Sequence, residues 1–181
     1  MEALKEVLES VNGWLKFAEA KNAVLITASG VALWATARLL MSEDVGGYLQ
    51  VYFFVLIVFL GGALVVGLLS FLPVLSYSII VPKPKEVGNK NLLYFGYLST
   101  LSKNELIKKF VQALEIPEKE VNDFHKMYAE QIIINSRVAL AKYALFERGV
   151  NLIILAALTP IIGGILLYAA KNKRKKTDGV G

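Results

Sequence analysis

The sequence predicts an all-α membrane protein with three transmembrane helices, an N-terminal amphipathic helix and a small helical cytosolic domain whose last helix continues into the final span. Three observations lead to this fold class. Hydrophobic residues make up 55% of the 181 residues, and the mean hydropathy of +0.52 exceeds that of ordinary soluble domains. Three apolar runs are long enough to cross a bilayer. The remaining chain lacks the period-two alternation of strands.

Residues 1–21 form the predicted amphipathic helix. Apolar side chains recur on one face at alternating steps of four and three, while glutamate and lysine lie elsewhere. These apolar positions are Leu4, Leu8, Val11, Leu15 and Ala18. The stripe could pack on the soluble domain or lie on the bilayer. We favour packing, because the polar face mixes both signs of charge, unlike the cationic face of a membrane-surface helix.

Residues 22–82 contain the first two predicted transmembrane helices. The run 22–41 carries one charged residue, Arg38, near its end, and the run 48–72 carries none. Three prolines, Pro73, Pro82 and Pro84, should bend and then end the second span. The residues that follow Pro73 should then lie near the headgroups. Small residues four apart in these spans favour close helix packing; they are Ala28 with Ala32 and Ala63 with Gly67.

Residues 83–149 are the only sizeable segment outside the predicted spans, and they should form the helical domain. The stretch 91–102 predicts a short helix broken near Gly96. Ser102 and Glu105 have the spacing of a capping box that opens the next helix. Pro117 then suits the first turn of a last helix of some forty residues, which runs directly into the membrane.

Residues 150–170 form the third predicted span, in which Pro160 can cause a kink and Gly163 and Gly164 allow close helix approach. A basic tail, 171–181, follows it. With three spans, the helical domain and the tail lie on opposite sides of the membrane. Both are rich in Lys and Arg, so the positive-inside rule gives no single orientation. We place the helical domain of this multi-pass chain in the cytosol.

The composition disfavours several classes of function. The chain has no Cys and one His, His125, which leaves no thiolate chemistry and little basis for a metal site. It also lacks a phosphate-binding glycine loop and a nucleophile paired with a base. Five of the twenty basic residues lie in the tail, so the rest of the chain is close to neutral and is not a general nucleic-acid surface. We therefore expect no enzyme activity, no metal, no cofactor and no nucleic-acid partner.

A ladder of polar side chains interrupts the apolar helix at residues 129–142. Steps of four and seven place Gln131, Asn135 and Lys142 on one face. Such a ladder is either part of a binding site or a device that fixes helix register and oligomer state, and Lys142 could simply extend towards the membrane surface. The sequence leaves both interpretations open.

Three stretches resemble the membrane-spanning effectors of Pycsar anti-phage defence. They are "GWLKFAEAKNAVL" at 13–25, "NLLYFGYLSTLS" at 91–102 and "AEQIIINSRVALAKYALF" at 129–146, and the similarity extends from about Val11 to Leu167. The resemblance implies that the protein detects a cyclic pyrimidine mononucleotide, cUMP or cCMP, made by a partner nucleotide cyclase during infection. It also implies that the protein then damages the inner membrane, by a pore or by general disruption, so that the cell dies before phage can spread.

A cyclic mononucleotide requires a cation or backbone N–H donors for its phosphate, an amide for its base edge and an aromatic surface for stacking. On this physical argument, Lys142 supplies the cation and Gln131 and Asn135 the amides. The candidates for the aromatic surface are Tyr94, Phe95 and Tyr128. Arg137 projects from a different face and is a candidate to reach a neighbouring subunit.

A ligand drives a conformational change only through its differential affinity for two states. A full switch therefore needs a difference in binding free energy of several kcal/mol. Several coupled pockets could supply this, which favours a homo-oligomer. Two alternatives stay open: a membrane effector for another cyclic (oligo)nucleotide, and a membrane adaptor that senses no ligand and binds a protein partner.

Overall fold

The computed structural model describes residues 2–43, 45–72, 90–115, 117 and 121–178, with side chains up to Gly164 except Ile162. Within this part of the chain the regular secondary structure is all α-helical, with no strands. The helices are α1 (Glu2–Leu40), α2 (Tyr48–Leu69), α3 (Phe95–Leu98), α4 (Lys103–Leu114) and α5 (Asp123–Asp178). Three of them, α1, α2 and α5, are long and apolar enough to cross a membrane. The all-α fold with three spans, an N-terminal helix and a long last helix is thereby confirmed.

The chain divides into two compact units. The first unit comprises residues 1–23 and 68–147, and the second unit comprises residues 24–67 and 148–181. The three long helices α1, α2 and α5 each contribute residues to both units, because the dividing points after residues 23, 67 and 147 lie inside continuous helices.

The core of the first unit joins α1 to α3, α4 and α5. On α1, Leu4, Val7 and Val11 are buried within this core. The other elements supply Phe95, Tyr97, Leu98, Leu101, Leu106, Phe110, Ala129, Ile132, Ile133 and Ala139. Burial of a large apolar side chain of this kind stabilises a fold by about 1.5–3 kcal/mol. The prediction that the N-terminal stripe packs on the helical domain is confirmed.

In the second unit, the three spanning helices meet at Leu25, a buried residue of α1. A side chain added at Gly67 of α2 would meet Leu25 and Ile26, and one added at Gly149 of α5 would collide with Leu25. The two glycines therefore form the space that Leu25 occupies. Of the predicted small-residue pairs, Ala63 and Gly67 are buried, whereas Ala28 is exposed.

Two helix boundaries differ from the sequence predictions. The short helix α3 is not broken at Gly96 but contains it, because a hydrogen in place of a side chain there leaves room for the Tyr94 ring. The last helix begins at Asp123, not near Pro117. Asn122 caps it: its side-chain oxygen accepts the His125 backbone N–H, and its own N–H donates to His125 Nδ1.

The helix that contains the third predicted span extends beyond residue 170. The helix passes through Pro160 without ending and reaches Asp178, so most of the predicted tail is helical. No described atom lies within 4 Å of a side chain added at Gly163 or Gly164, so the predicted close approach is not made in the described part of this chain. The expected bends at Pro73, Pro82 and Pro84, and the placement of the residues after Pro73, lie outside the described residues.

Helix α4 begins with the predicted capping box. Ser102 Oγ accepts the Glu105 backbone N–H, and Glu105 Oε2 accepts the Ser102 backbone N–H at 2.8 Å and its hydroxyl at 2.7 Å. These bonds, the one from the hydroxyl first, lower the pKa of Glu105 from its ordinary value of 4.5. The carboxylate is therefore favoured in the folded state.

This lowered pKa predicts a pH dependence for the cap. The contribution of the Glu105 charge is complete above the pKa of the unfolded state and is lost as the pH falls through the lower folded pKa. We expect Glu105→Gln, which keeps a capping amide, to lose less stability than the parent chain between neutral pH and about pH 3. Melting temperatures measured across this range would check it, and parallel curves would contradict it.

Candidate functional site

The polar ladder of α5 is partly assembled into a chain of amides in the first unit. Gln131 Nε2 donates to Asn135 Oδ1 at 2.9 Å, and Asn135 Nδ2 donates to Asn12 Oδ1 of α1 at 2.7 Å. We call these three residues the amide relay. Gln131 is exposed and the other two are half-buried. The relay links α1 to α5, and its two ends keep amide groups that no described residue binds.

An aromatic pair lies on α5 before the relay. Phe124 and Tyr128 contact edge to face, with ring centroids 5.4 Å apart. Phe124 is exposed, whereas Tyr128 packs against the core of the first unit. Tyr128 precedes Gln131 by three residues, which places both on one side of the helix. Of the aromatic candidates, Tyr128 is the one that shares a helix face with the relay.

Lys142 is separated from the relay, since seven residues of helix correspond to about 10 Å. It is buried, and its ammonium group lies 3.1 Å from Glu19 Oε1 of α1. The same group donates to the Ser70 carbonyl oxygen at 2.9 Å, just after the end of α2, and faces the Phe71 ring. A cation is favoured at a helix C-terminus, where carbonyl groups are unpaired. Lys142 thus joins α1, α5 and the end of α2 within the first unit.

Asn22, which was not among the predicted site residues, reinforces this junction. Its side-chain amide donates to the Ala18 carbonyl at 2.9 Å and to the Lys142 carbonyl at 3.0 Å. The signal was present, because Asn22 lies four residues after Ala18 and so extends the alternating steps of the apolar stripe. Asn12 and Glu19 were also missed, and no comparable spacing identifies them.

Arg137 is used within its own chain. Its Nε donates to the Ser99 carbonyl at 3.1 Å, and one terminal nitrogen donates to the Leu101 carbonyl at 3.2 Å. These carbonyls follow the end of α3, where a short helix leaves backbone acceptors unpaired. The half-buried guanidinium therefore holds the α3–α4 connection on α5. The prediction that Arg137 reaches a neighbouring subunit stays a prediction.

The remaining two candidates, Tyr94 and Phe95, lie in an aromatic cluster away from the relay contacts. Phe95 is buried and stacks on Tyr143, with centroids 5.3 Å apart and planes inclined by 21°. It also contacts Trp14 at 5.7 Å and Tyr94 at 5.0 Å. Tyr94 is partly exposed. Phe95 is therefore a core residue, and Tyr94 is the member of the pair with surface that a ligand could reach.

A shallow pocket of about 300 Å³ lies between α4 and the start of α5 in the first unit. It is lined by Asn104, Ile107, Lys108, Val111, Val121 and Lys126. Lys126 forms an ion pair with Asp123 at 2.8 Å, whereas Lys108 has no ion-pair partner among the described residues. No motif in the sequence marks these residues as a site. The pocket thus offers, as far as the described residues show, a cation without an ion-pair partner beside an apolar wall.

The predicted site residues do not form one cluster in the structure. The relay brings Gln131 and Asn135 together near Tyr128, while Lys142, Arg137 and Phe95 are engaged in separate internal contacts. Among residues that the structure describes, no cluster of His, Asp and Glu could hold a metal ion. Fold and site together define an all-helical membrane protein with three spans and a helical unit of polar interhelical contacts.

Residues 3–170 match the family model for the Pycsar effector protein domain, PycTM. The chain belongs to this family, as the three quoted stretches indicated, and it is a Pycsar effector. The family is one of effectors and is not a known catalytic family. Comparison with curated proteins and with solved structures found no match.

Proposed function

We propose that this effector binds cUMP or cCMP on its first unit and, in response, disrupts the bacterial inner membrane as a homo-oligomer, which ends phage propagation by abortive infection. The observation that carries the proposal is the family match over residues 3–170, which includes both units and all three spanning helices. The messenger comes from a partner nucleotide cyclase, and the first unit faces the cytosol. No catalytic step is assigned to the effector.

The amide relay is the proposed contact for the pyrimidine base. Gln131 donates one hydrogen and accepts none among the described contacts, and Asn12 accepts one and donates none. Both amides can therefore still donate and accept, as the edge of uracil or cytosine requires. Tyr128 and the exposed Phe124 offer ring surface beside them. Lys142 could serve the phosphate only by exchanging its partner Glu19.

The pocket between α4 and α5 is a second candidate, favoured by its size and by Lys108, for which the described residues provide no ion-pair partner. Its volume of about 300 Å³ lies at the lower end of pockets that hold small ligands. Lys108 would bind the phosphate, and Ile107 and Val111 would contact the base. The pocket offers no aromatic side chain, which makes it the weaker candidate for base recognition.

Ligand binding would act on the membrane through α1 and α5, because each is one continuous helix with residues in both units. A shift from mostly inactive to mostly active needs a differential affinity of about 5 kcal/mol. A single small site rarely provides this, so coupled sites in an oligomer are proposed. The ligand would stabilise one arrangement of the long helices and so alter the packing of the spans.

Leakage from reconstituted vesicles tests this function directly. The protein is reconstituted with a trapped dye, and cUMP, cCMP, cAMP, cGMP or a cyclic oligoadenylate is added on both sides. We expect dye release with one cyclic pyrimidine nucleotide alone. Release by a cyclic oligonucleotide would point to another messenger, and no release by any ligand would favour an adaptor. Crosslinking before and after ligand addition checks the oligomer.

Thermal shift assays distinguish the two candidate sites. We expect cUMP or cCMP to raise the melting temperature of the purified parent chain and of Lys108→Ala, but not of Gln131→Ala, because the latter loses one end of the relay. Gln112→Ala is the matched control, since it removes an exposed glutamine from α4. Loss of the shift in Lys108→Ala alone would assign the ligand to the pocket instead.

A further inference from the structure

Lys21 lies among three aromatic rings of the first unit, apart from the polar contacts described above. Its ammonium nitrogen is 4.6 Å from the ring centroid of Phe17, 5.3 Å from that of Phe146 and 5.4 Å from that of Tyr143. Three rings attract and orient the ammonium group, but a ring quadrupole does not neutralise its charge. The side chain is half-buried, so the charged group remains partly accessible from the surface.

The ammonium group of Lys21 has three N–H donors. No described residue accepts a hydrogen bond from it or lies at ion-pair distance. Lys142 shows the contrast, since it binds both Glu19 and the Ser70 carbonyl. A half-buried cation without an acceptor is costly unless water or an external anion supplies one. The surroundings of Lys21 therefore favour an anionic ligand with an apolar body that can lie against the rings.

The position of Lys21 on α1 indicates where that ligand comes from. Lys21 lies on a helix stripe that begins at Trp14 and Phe17, and continues through Val24 and Val31 towards the end of span one. At 100° per residue, these positions fall within about 100° of one another, and the four apolar side chains are each more than 40% exposed. Lys21 is the only charged member of this set. The exposed apolar stripe of the predicted span thus extends beyond the span itself.

The distances along α1 correspond to the headgroup layer. Lys21 immediately precedes the charge-poor run that begins at Asn22, and Phe17 lies about 7 Å before that run at 1.5 Å per residue. The headgroup region of one leaflet is of the order of 5–8 Å thick. Aromatic residues and lysines are enriched at this level in membrane proteins. Lys21 and Phe17 therefore lie where lipid phosphates are found.

We propose that Lys21, Phe17 and Phe146 form a binding site for the phosphodiester group of an anionic membrane lipid. The ammonium group donates to the phosphate oxygens, and the exposed ring of Phe17 and the half-buried ring of Phe146 contact the glycerol and upper acyl chain. A cyclic mononucleotide is also a phosphodiester monoanion, but the continuity of the stripe with the span favours the lipid. The site makes the first unit a lipid-contacting surface, independently of where the messenger binds.

Quenching by brominated lipids tests this site. The chain has two tryptophans, Trp14 and Trp34, so replacing both by Phe and introducing Phe17→Trp places a single indole beside Lys21. The protein is reconstituted in phosphatidylcholine with one third phosphatidylglycerol, and either lipid is brominated near its headgroup. We expect the brominated phosphatidylglycerol to quench roughly fivefold more per molecule, the enrichment that one basic residue provides at an anionic surface.

Two charge variants complete the experiment. Lys21→Gln should abolish the preference for phosphatidylglycerol, whereas Lys16→Gln, an exposed lysine on another face of α1, should retain it. Equal quenching by both lipids with Lys21 intact, or a preference that survives Lys21→Gln, would overturn the proposal. So would an absence of quenching by either lipid. Loss of the preference on addition of cUMP or cCMP would reassign the site to the soluble messenger.

Discussion

Lys142→Ala is expected to lower the melting temperature of the purified protein by roughly 4–12 °C. The substitution leaves Glu19 without its partner and the Ser70 carbonyl without its donor. Removal of one partner from a buried ion pair costs about 3–5 kcal/mol. The side chain of Glu19 is 46% exposed and can be rehydrated, so we expect about 2–3 kcal/mol, which corresponds to the stated shift for a chain of this length.

The double variant Lys142→Met with Glu19→Gln is the informative comparison. It removes both charges while keeping side chains of similar size, so it should be considerably more stable than Lys142→Ala. Lys16→Ala removes an exposed lysine of α1 and should change little. Equal melting temperatures for Lys142→Ala and Lys16→Ala would contradict a structural role for the pair. Loss of messenger binding at unchanged stability would make Lys142 a ligand contact.

The second large effect is expected at the glycines around Leu25. Gly149→Ala should destabilise the second unit by about 1–3 kcal/mol, because its new methyl group collides with the Leu25 side chain. Leu25→Ala should itself cost about 2–5 kcal/mol by opening a cavity between the three spanning helices. Thermal unfolding in detergent would measure both losses, and vesicle leakage would show whether the packing also controls activity.

A double-mutant comparison of Leu25 and Gly149 distinguishes the steric clash between them from a general effect of either substitution. In the Leu25→Ala background the Gly149 methyl group has space, so Gly149→Ala should be neutral or stabilising there. Gly163→Ala is the matched control, because nothing described lies within 4 Å of its added side chain and alanine is the better helix former. Additive losses at Leu25 and Gly149 would rule out the proposed contact.

Much of the fold could be predicted from the sequence, because its signals are local. The charge-free run of α2, the capping box at Ser102 and the alternating stripe of α1 each depend on residues close together in the chain. The start of α5 was placed too early for a related reason. Proline suits a first helical turn, but the Asn122 cap with its reciprocal bond to His125 defines the observed start.

The candidate site was predicted less completely. Helical periodicity correctly placed Gln131 next to Asn135, since residues four apart on a helix are neighbours. It could not reveal that Asn12 completes the relay, that Glu19 and Ser70 bind Lys142, or that Arg137 holds the end of α3. A helix face defines which side chains point together, but not which chain segment packs there.

The sequence by itself determined the helical class, the three spans and the family of this effector. These depend on hydropathy, periodicity and short motifs, which act over one or a few helical turns. Only the tertiary structure decided the partners of the polar residues, such as Asn12 with Asn135, 123 positions apart. The physical reason is that a buried polar group must find a partner wherever helix packing brings one, and that packing depends on the shapes of all the side chains between the helices.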